Sequence, residues 1–212
     1  MTAHSTSPFP DEQAREEAWK AAVAEERGGK AYGELIAAQR RLQDSVAGAV
    51  LPHDLVTEIT DRLNTIGDLL AEHQAAEPDR WDGWRPDIPG RAMPVLPPYV
   101  IDERGEGFLR GHVTFTRFYL GGNGAAHGGS HTLLFDDVMG HVAGLAGGIC
   151  RTAYLTINYR RITPIGVELN FECRLDGVEG RKRFISARLF NPAGEVVADC
   201  DGLFLRLLPG QQ

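Results

Sequence analysis

Apolar residues recur at helical spacing through the first third of this 212-residue chain. Stretches 11–27, 31–48 and 53–75 are rich in Ala, Glu, Arg and Leu and read as three helices. Leu35, Leu42 and Val46 share one face of the second, and Leu55, Ile59, Leu63, Ile66 and Leu70 share one face of the third. Gly28, Gly29 and Pro52 separate the three. Stretch 76–98 then carries Pro78, Pro86, Pro89, Pro94, Pro97 and Pro98 with Trp81 and Trp84, the composition of an extended connector anchored by its indoles.

From Gly107 onward the period shortens to that of strands. Stretches 108–115, 116–120, 152–161, 167–175, 183–190 and 196–207 read as strands, interrupted by one long helix at about 130–146. Turn chemistry punctuates them: Pro164 to Gly166, Asp176-Gly177, Glu179-Gly180, and Asn191-Pro192-Ala193-Gly194. The last four strands, taken as hairpin neighbours, predict an antiparallel sheet. With the single helix between them and the first two, the expected class is α+β, the sheet curled around the helix. The expected organisation is a helical N-terminal extension at 1–80, a Pro/Trp-rich connector at 81–104, and an α+β domain at 105–212.

Charge sharpens this division. Residues 1–80 hold fifteen acidic and eight basic side chains, so the chain's formal net charge of −7 belongs to the helical extension. No basic block is long enough to track phosphates, which argues against a nucleic-acid partner. No apolar run approaches a membrane span, and the first ten residues lack the pattern of a signal peptide, so a cytoplasmic protein is expected. Cys150, Cys173 and Cys200 are odd in number and lack metal-binding spacing, and read as reduced core thiols.

The richest chemistry lies between Asn123 and Gly140. A glycine-rich turn, Gly121 to Gly129, runs directly into the long helix, which carries Asp136 and Asp137 about two turns in. Free amides at a helix start and a nearby carboxylate are the parts that polarise a carbonyl and activate water. Other readings fit less well. A dinucleotide turn needs Gly-x-Gly-x-x-Gly and βα alternation, and a serine elbow needs a second glycine where Thr132 stands. His127, His131 and Asp136 fall near metal-ligand spacing, but His127 precedes the helix; no metal and no cofactor are expected. A helix cap with a solvated Asp pair is the simplest alternative.

Three segments together resemble the hotdog-fold acyl-CoA thioesterases: His127-Gly128-Gly129 with Asp136 nine positions on, the run from Ala146 to Arg161 containing Ile157-Asn158-Tyr159-Arg160-Arg161, and the run from Leu175 to Lys182 containing Val178-Glu179-Gly180-Arg181-Lys182. The likeness is to the branch of mitochondrial thioesterase-superfamily members, and more distantly to phenylacetate-pathway thioesterases, over roughly residues 105–208. It implies a hotdog fold and hydrolysis of medium- to long-chain fatty acyl-CoA. Position by position it implies Asp136 as the catalytic carboxylate, Gly129 as the oxyanion amide and Thr152 as the hydroxyl assisting Asp136. It further implies Asn158, Arg160 and Arg181 as CoA contacts, with Lys182 and Arg183 weaker candidates. One departure stands out: Gly121 occupies a position where many relatives carry Asn near the thioester, and Asn123 is displaced from it by two residues.

The residues add their own constraint. Gly129 and Asp136 are seven positions apart, about 10 Å along a helix, whereas an oxyanion donor and an attacking base must each lie roughly 3 Å from the reacting group. Two helices running antiparallel across a two-fold axis solve this, so a homodimer is expected, with a tetramer of paired dimers left open. Asp136 serves as general base or as nucleophile. His127 is expected to bond the turn or to transfer protons, Asp137 to be structural, and His131 and His141 to be helix-face residues. Positions Thr152, Tyr154, Thr156, Asn158 and Arg160 are expected on one strand face, about 20 Å long, a length suited to pantetheine. Gly140 and Gly144 suggest close approach of another backbone. Two other functions compete: a hotdog dehydratase or isomerase using a His–acid pair, and an acyl-CoA-binding protein without catalysis.

Overall fold

The computed structural model describes residues 10–211. The first nine residues, which enter the expectation of no signal peptide, lie outside that range. The chain forms two compact units, the first closing at Met93 and the second opening at Pro94. That boundary falls inside the stretch expected to be a connector at 81–104. Its first half belongs to the helical unit and its second half to the sheet unit.

The first unit contains α1 (Pro10–Glu26), α2 (Gly29–Gly48) and α3 (His53–Ala71), broken where the glycines and the proline require. A few anchors hold it. Trp81 sets its ring edge-on to Tyr32 at 5.1 Å between centroids. Arg85 is buried, donates to both carboxylate oxygens of Asp87 at 2.8 and 2.7 Å, and donates to the Arg27 carbonyl at 2.7 Å. Its guanidinium also lies 5.6 Å from the Tyr32 ring centroid. Ile36 is the buried residue of α2, and α3 buries none.

The second unit contains β1 (Val100–Gly105), β2 (Phe108–Thr114), β3 (Leu120–Gly122), β4 (Ala125–Ala126), α4 (Gly128–Leu145), β5 (Cys150–Tyr159), β6 (Glu168–Glu179), β7 (Lys182–Phe190) and β8 (Val196–Arg206). Six strands form an antiparallel sheet in the order β1-β2-β6-β7-β8-β5, and β3 pairs with β4 apart from it. Three expectations need correction. β1 lies where a connector was expected: its mixed charges hide a strand that turns at Glu106-Gly107 and pairs Gly105 with Phe108. Stretch 116–120 is not a strand of the sheet but a single 3-10 turn over Arg117–Tyr119, which brings Phe115 and Tyr119, four residues apart, into the core together. Finally, β5 and β6 are not hairpin neighbours. β5 is an edge strand on β8, and the chain crosses to the far side of β7 through 160–167.

Helix α4 lies on one face of this sheet because its apolar residues keep a 3.6-residue period. His131, Leu134, Phe135, Val138, Met139, Val142 and Ala143 are buried against Leu169, Phe171, Cys173, Ile185, Leu189, Cys200 and Phe204. Each fully buried Leu, Phe, Val or Met contributes roughly 1.5–3 kcal/mol. Gly202 permits the close seat: a Cβ there would lie 2.7 Å from Met139 Cε and 2.8 Å from Leu155 Cδ2. The opposite stripe of α4, Gly129, Thr132, Asp136 and Gly144, faces outward and exposed. A Cβ on Gly144 would meet nothing within 4 Å and one on Gly140 only the Phe204 ring, so among the described residues no backbone outside α4 approaches either that closely. The three cysteines are free thiols, Cys173 and Cys200 buried and Cys150 half-buried. Burial pushes the Cys200 thiol up to about 12 and the Cys173 thiol further in the same direction.

Candidate active site

The start of α4 is fastened on every side. The His127 amide donates to the Tyr119 carbonyl at 2.7 Å, and the Ala126 amide donates to the Thr163 carbonyl at 2.8 Å. Tyr159 donates its hydroxyl to the Gly128 carbonyl at 2.9 Å, and Ser130 donates its hydroxyl to the His127 carbonyl at 2.6 Å. His131 is buried, 2.8 Å from the Thr163 hydroxyl, with its ring stacked on Phe115. That burial lowers its pKa, so it serves as neutral scaffold. The crossover after β5 thus has a purpose: segment 163–166 pins the turn, with the Ile165 amide on the Gly124 carbonyl and the Gly166 amide on the Phe115 carbonyl.

His127 is the N-cap of α4. Its Nδ1 accepts the Gly129 amide at 2.9 Å. The neutral ring therefore carries its proton on Nε2. The amide expected to hold an oxyanion is thus already engaged by the cap in this single chain.

Asp136, near the middle of α4, is exposed. Thr152, at the start of β5, donates its hydroxyl to Asp136 Oδ1 at 2.6 Å. These two residues are sixteen positions apart and meet because β5 returns alongside the helix. Asp137 lies on another side of α4, half-buried, accepting the Tyr99 hydroxyl, with His141 Nε2 at 3.8 Å. His127, His131 and Asp136 each have other partners, and among the described residues no group of three or more His, Cys, Asp or Glu side chains could hold a metal ion.

The glycine turn accounts for the departure at position 121. A Cβ on Gly121 would lie 2.8 Å from the His127 Cα and 3.1 Å from its amide nitrogen, so the cap leaves no room for an asparagine side chain. Asn123 and Gly124, with φ of 50° and 75°, form the two-residue turn between β3 and β4. Asn123 serves a turn that needs positive φ at both positions.

The strand face expected to run from Thr152 to Arg160 is corrected by a bulge. The register slips between Thr152, opposite Phe204, and Tyr154, opposite Leu203. One extra residue reverses the alternation, so Thr152 points toward α4 while Tyr154, Thr156, Asn158 and Arg160 point to the other face of the sheet. There Asn158 donates to Asp199 Oδ1 at 2.8 Å, and Arg160 donates to both Asp199 oxygens, one of them at 3.2 Å. Those donors hold the Asp199 carboxyl below the usual carboxylate range. A shallow cavity of about 770 Å³ opens beside them, lined by Arg160, Arg161, Arg188, Asp199 and Asp201 among others. Arg181 and Lys182 stand at the β6–β7 turn, with no side-chain hydrogen bond or ion pair among the described residues. Arg183 differs: it is buried, donates to the Gly180 carbonyl at 2.9 Å and reaches the Ala146 carbonyl at 3.5 Å, at the end of α4. A cation there complements the negative helix end and is withheld from phosphate.

Known proteins share this architecture. The crystal structure of a thioesterase superfamily protein superposes with a TM-score of 0.71 at 30% identity, covering 82% of this chain and 94% of that one. The chain belongs to the hotdog-fold thioesterase superfamily. The structure of the PaaI protein from the E. coli phenylacetic acid degradation operon matches this chain in fold at a TM-score of 0.50 and 22% identity, over 52% of this chain and 80% of that one. Among curated proteins, acyl-coenzyme A thioesterase THEM4 of Bos taurus is 33% identical over 87 residues, 41% of this chain and 35% of that protein. The Xenopus laevis THEM4 is 29% identical over 41% of this chain and 39% of its own length. The chain thus spans little more than a third of the curated relatives it matches. No protein-family model matches it.

Sequence reasoning missed Tyr159, Thr163, Tyr99 and Asp199, all of which act through tertiary contacts. Of these only Tyr159 carried a signal, standing between Asn158 and Arg160 in a segment already singled out.

Proposed function

We propose that this chain hydrolyses acyl-CoA thioesters, with Asp136 activating water or attacking the thioester itself. The observation that carries the reading is the Thr152–Asp136 pair at 2.6 Å, set on an exposed stripe of small residues beside an open strand edge. Thr152 orients the carboxylate and leaves its second oxygen for the reaction. The N-terminus of α4 receives the carbonyl oxygen, where the Gly129 amide and the Nε2–H of His127 are the available donors. For the Gly129 amide to bind the oxyanion, the His127 ring must give it up as substrate enters.

Asp136 and Gly129 of one helix are too far apart to meet one carbonyl, so the complete site joins two copies, α4 facing α4 with Gly140 and Gly144 at the approach. The acyl chain is medium to long. Arg181 and Lys182, unengaged in the chain, bind the CoA phosphates, and Asn158 and Arg160 contact CoA secondarily because Asp199 holds them. A dehydratase would need a His–acid pair; the His127 ring instead accepts a backbone amide. A purely acyl-CoA-binding protein would have no use for a carboxylate oriented by a hydroxyl.

The test is thiol release across an acyl-CoA panel, with wild type, Asp136→Asn, and mixtures of Asp136→Asn subunits with subunits disabled at the 127–129 turn. Mixed dimers contain one intact site and recover about half the wild-type rate per dimer. No release from any acyl-CoA by the wild type, or no recovery in verified mixed dimers, would overturn the hydrolytic or the shared-site reading respectively.

A further inference from the structure

Helix α3 belongs to the helical unit, and the candidate site belongs to the sheet unit. It runs for 19 residues, about 28 Å, and buries none of them. Helices in proteins draw most of their stability from packing an apolar face, so a helix of this length with no buried residue calls for a partner. Val56, Ile59, Leu63, Ile66 and Leu70 follow one another at spacings of three, four, three and four, the seam of a helical bundle. Ile66 is 52% exposed and Leu70 47% exposed.

The side chains identify the partner. In this heptad Val56, Leu63 and Leu70 occupy a positions, Ile59 and Ile66 occupy d positions, and Leu55 and Leu69 add apolar g positions. Leucine at a with isoleucine at d, widened by an apolar flank, favours bundles of more than two helices over a pair. The charges agree. Asp54, Glu58, Asp61, Asp68 and Glu72 all fall at the outward b, c or f positions. The positions bordering the seam are His53, Leu55, Thr60, Arg62, Gly67 and Leu69, without a single carboxylate. Acidic as the extension is, identical α3 seams meet without opposing like charges, apart from Arg62. A lipid surface is a poorer match, since the acidic outer face is repelled by anionic headgroups.

We infer that α3 gathers with α3 of other copies of this chain into a bundle of more than two helices. This surface is separate from the one the hydrolytic reading uses, and either can stand without the other.

Leu63 is the central seam position, so it lies near its counterpart whether the helices run parallel or antiparallel. In the full-length protein with Cys150→Ser, Leu63→Cys should form an intermolecular disulfide under mild oxidation at least tenfold faster than the outward control Asp61→Cys. By sedimentation at about 10 μM the wild type should exceed a dimer in mass, and Leu63→Glu/Ile66→Glu should reduce it while Asp136-dependent activity persists. Equal trapping at positions 61 and 63, a wild-type mass no larger than a dimer, or binding to phosphatidylcholine vesicles in place of trapping would overturn the inference.

Discussion

Helices α3 and α4, of similar length, differ in what they bury and in what they leave open. α4 buries eight residues against a sheet and exposes a narrow stripe of Gly129, Thr132, Asp136 and Gly144. α3 buries none and exposes leucine, isoleucine and valine. In α4 the core fixes the helix rigidly, so the carboxylate it carries can be held to a hydroxyl on another element. α3 buries no residue, and what it exposes is an apolar seam flanked by charged side chains. On the proposed reading, the open polar stripe of the buried helix is the reaction site and the open apolar face of the unburied helix is the assembly surface.

The largest effect that could break this contrast is Asp136→Asn. It should lower kcat by roughly 10²–10⁴, the cost of losing a general base, with the fold retained. Asp137→Asn keeps an acceptor for Tyr99, should stay within a few-fold in kcat and should lower Tm modestly. Equal losses from the two would erase the distinction between the open and the packed sides of α4.

Next comes the anchor of the helical unit. Asp87→Ala leaves the Arg85 guanidinium buried without its carboxylate, a loss of about 3 kcal/mol, and thermal unfolding should show the helical unit melting earlier with the sheet unit unchanged. The pH dependence has a defined sign. Arg85 lowers the Asp87 pKa, chiefly by direct hydrogen bonding, so this stabilisation is complete above the ordinary carboxylate range and is lost as pH falls through the lowered value. Acid unfolding of Asp87→Ala followed by circular dichroism should therefore lack that component of the low-pH slope.

Arg181→Ala should raise KM for acyl-CoA about tenfold with kcat little changed, because a phosphate contact is made equally in ground and transition states. Arg160→Ala should raise it less, since Arg160 is already spent on Asp199. A larger effect at Arg160, measured in the same assay, would move the CoA contact to the outer face of the sheet.

His127→Ala should have the smallest effect on rate, within about tenfold in kcat, while the lost cap lowers stability by about 1 kcal/mol. A loss above a hundredfold would make the His127 Nε2–H, rather than the Gly129 amide, the main oxyanion donor.

Local patterning was enough to place the three N-terminal helices, α4 and the β6-β7-β8 meander, and to single out Asp136 and His127 as candidates, while Thr152 was named only through the family resemblance. The helices, the meander turns and the His127–Asp136 stretch rest on local spacing, where periodicity and turn chemistry act directly. β1 was hidden because charged residues fill an edge strand as readily as a loop. The 116–120 turn was hidden because aromatic and β-branched residues suit a strand, and only the shared burial of Phe115 and Tyr119 bends the chain.

Tertiary structure alone decided four matters. It set β5 beside β8, a pairing between residues some fifty positions apart that no local pattern encodes. The bulge after Thr152 turned that residue toward Asp136 and turned Asn158 and Arg160 away. Folding buried Arg183 under the end of α4 while leaving Arg181 half-exposed two residues earlier. It also brought Gly121 against the His127 backbone, which leaves no room for a side chain there. In each case the outcome depends on which surface a residue meets after the chain has closed, and a sequence records the residue but not the surface.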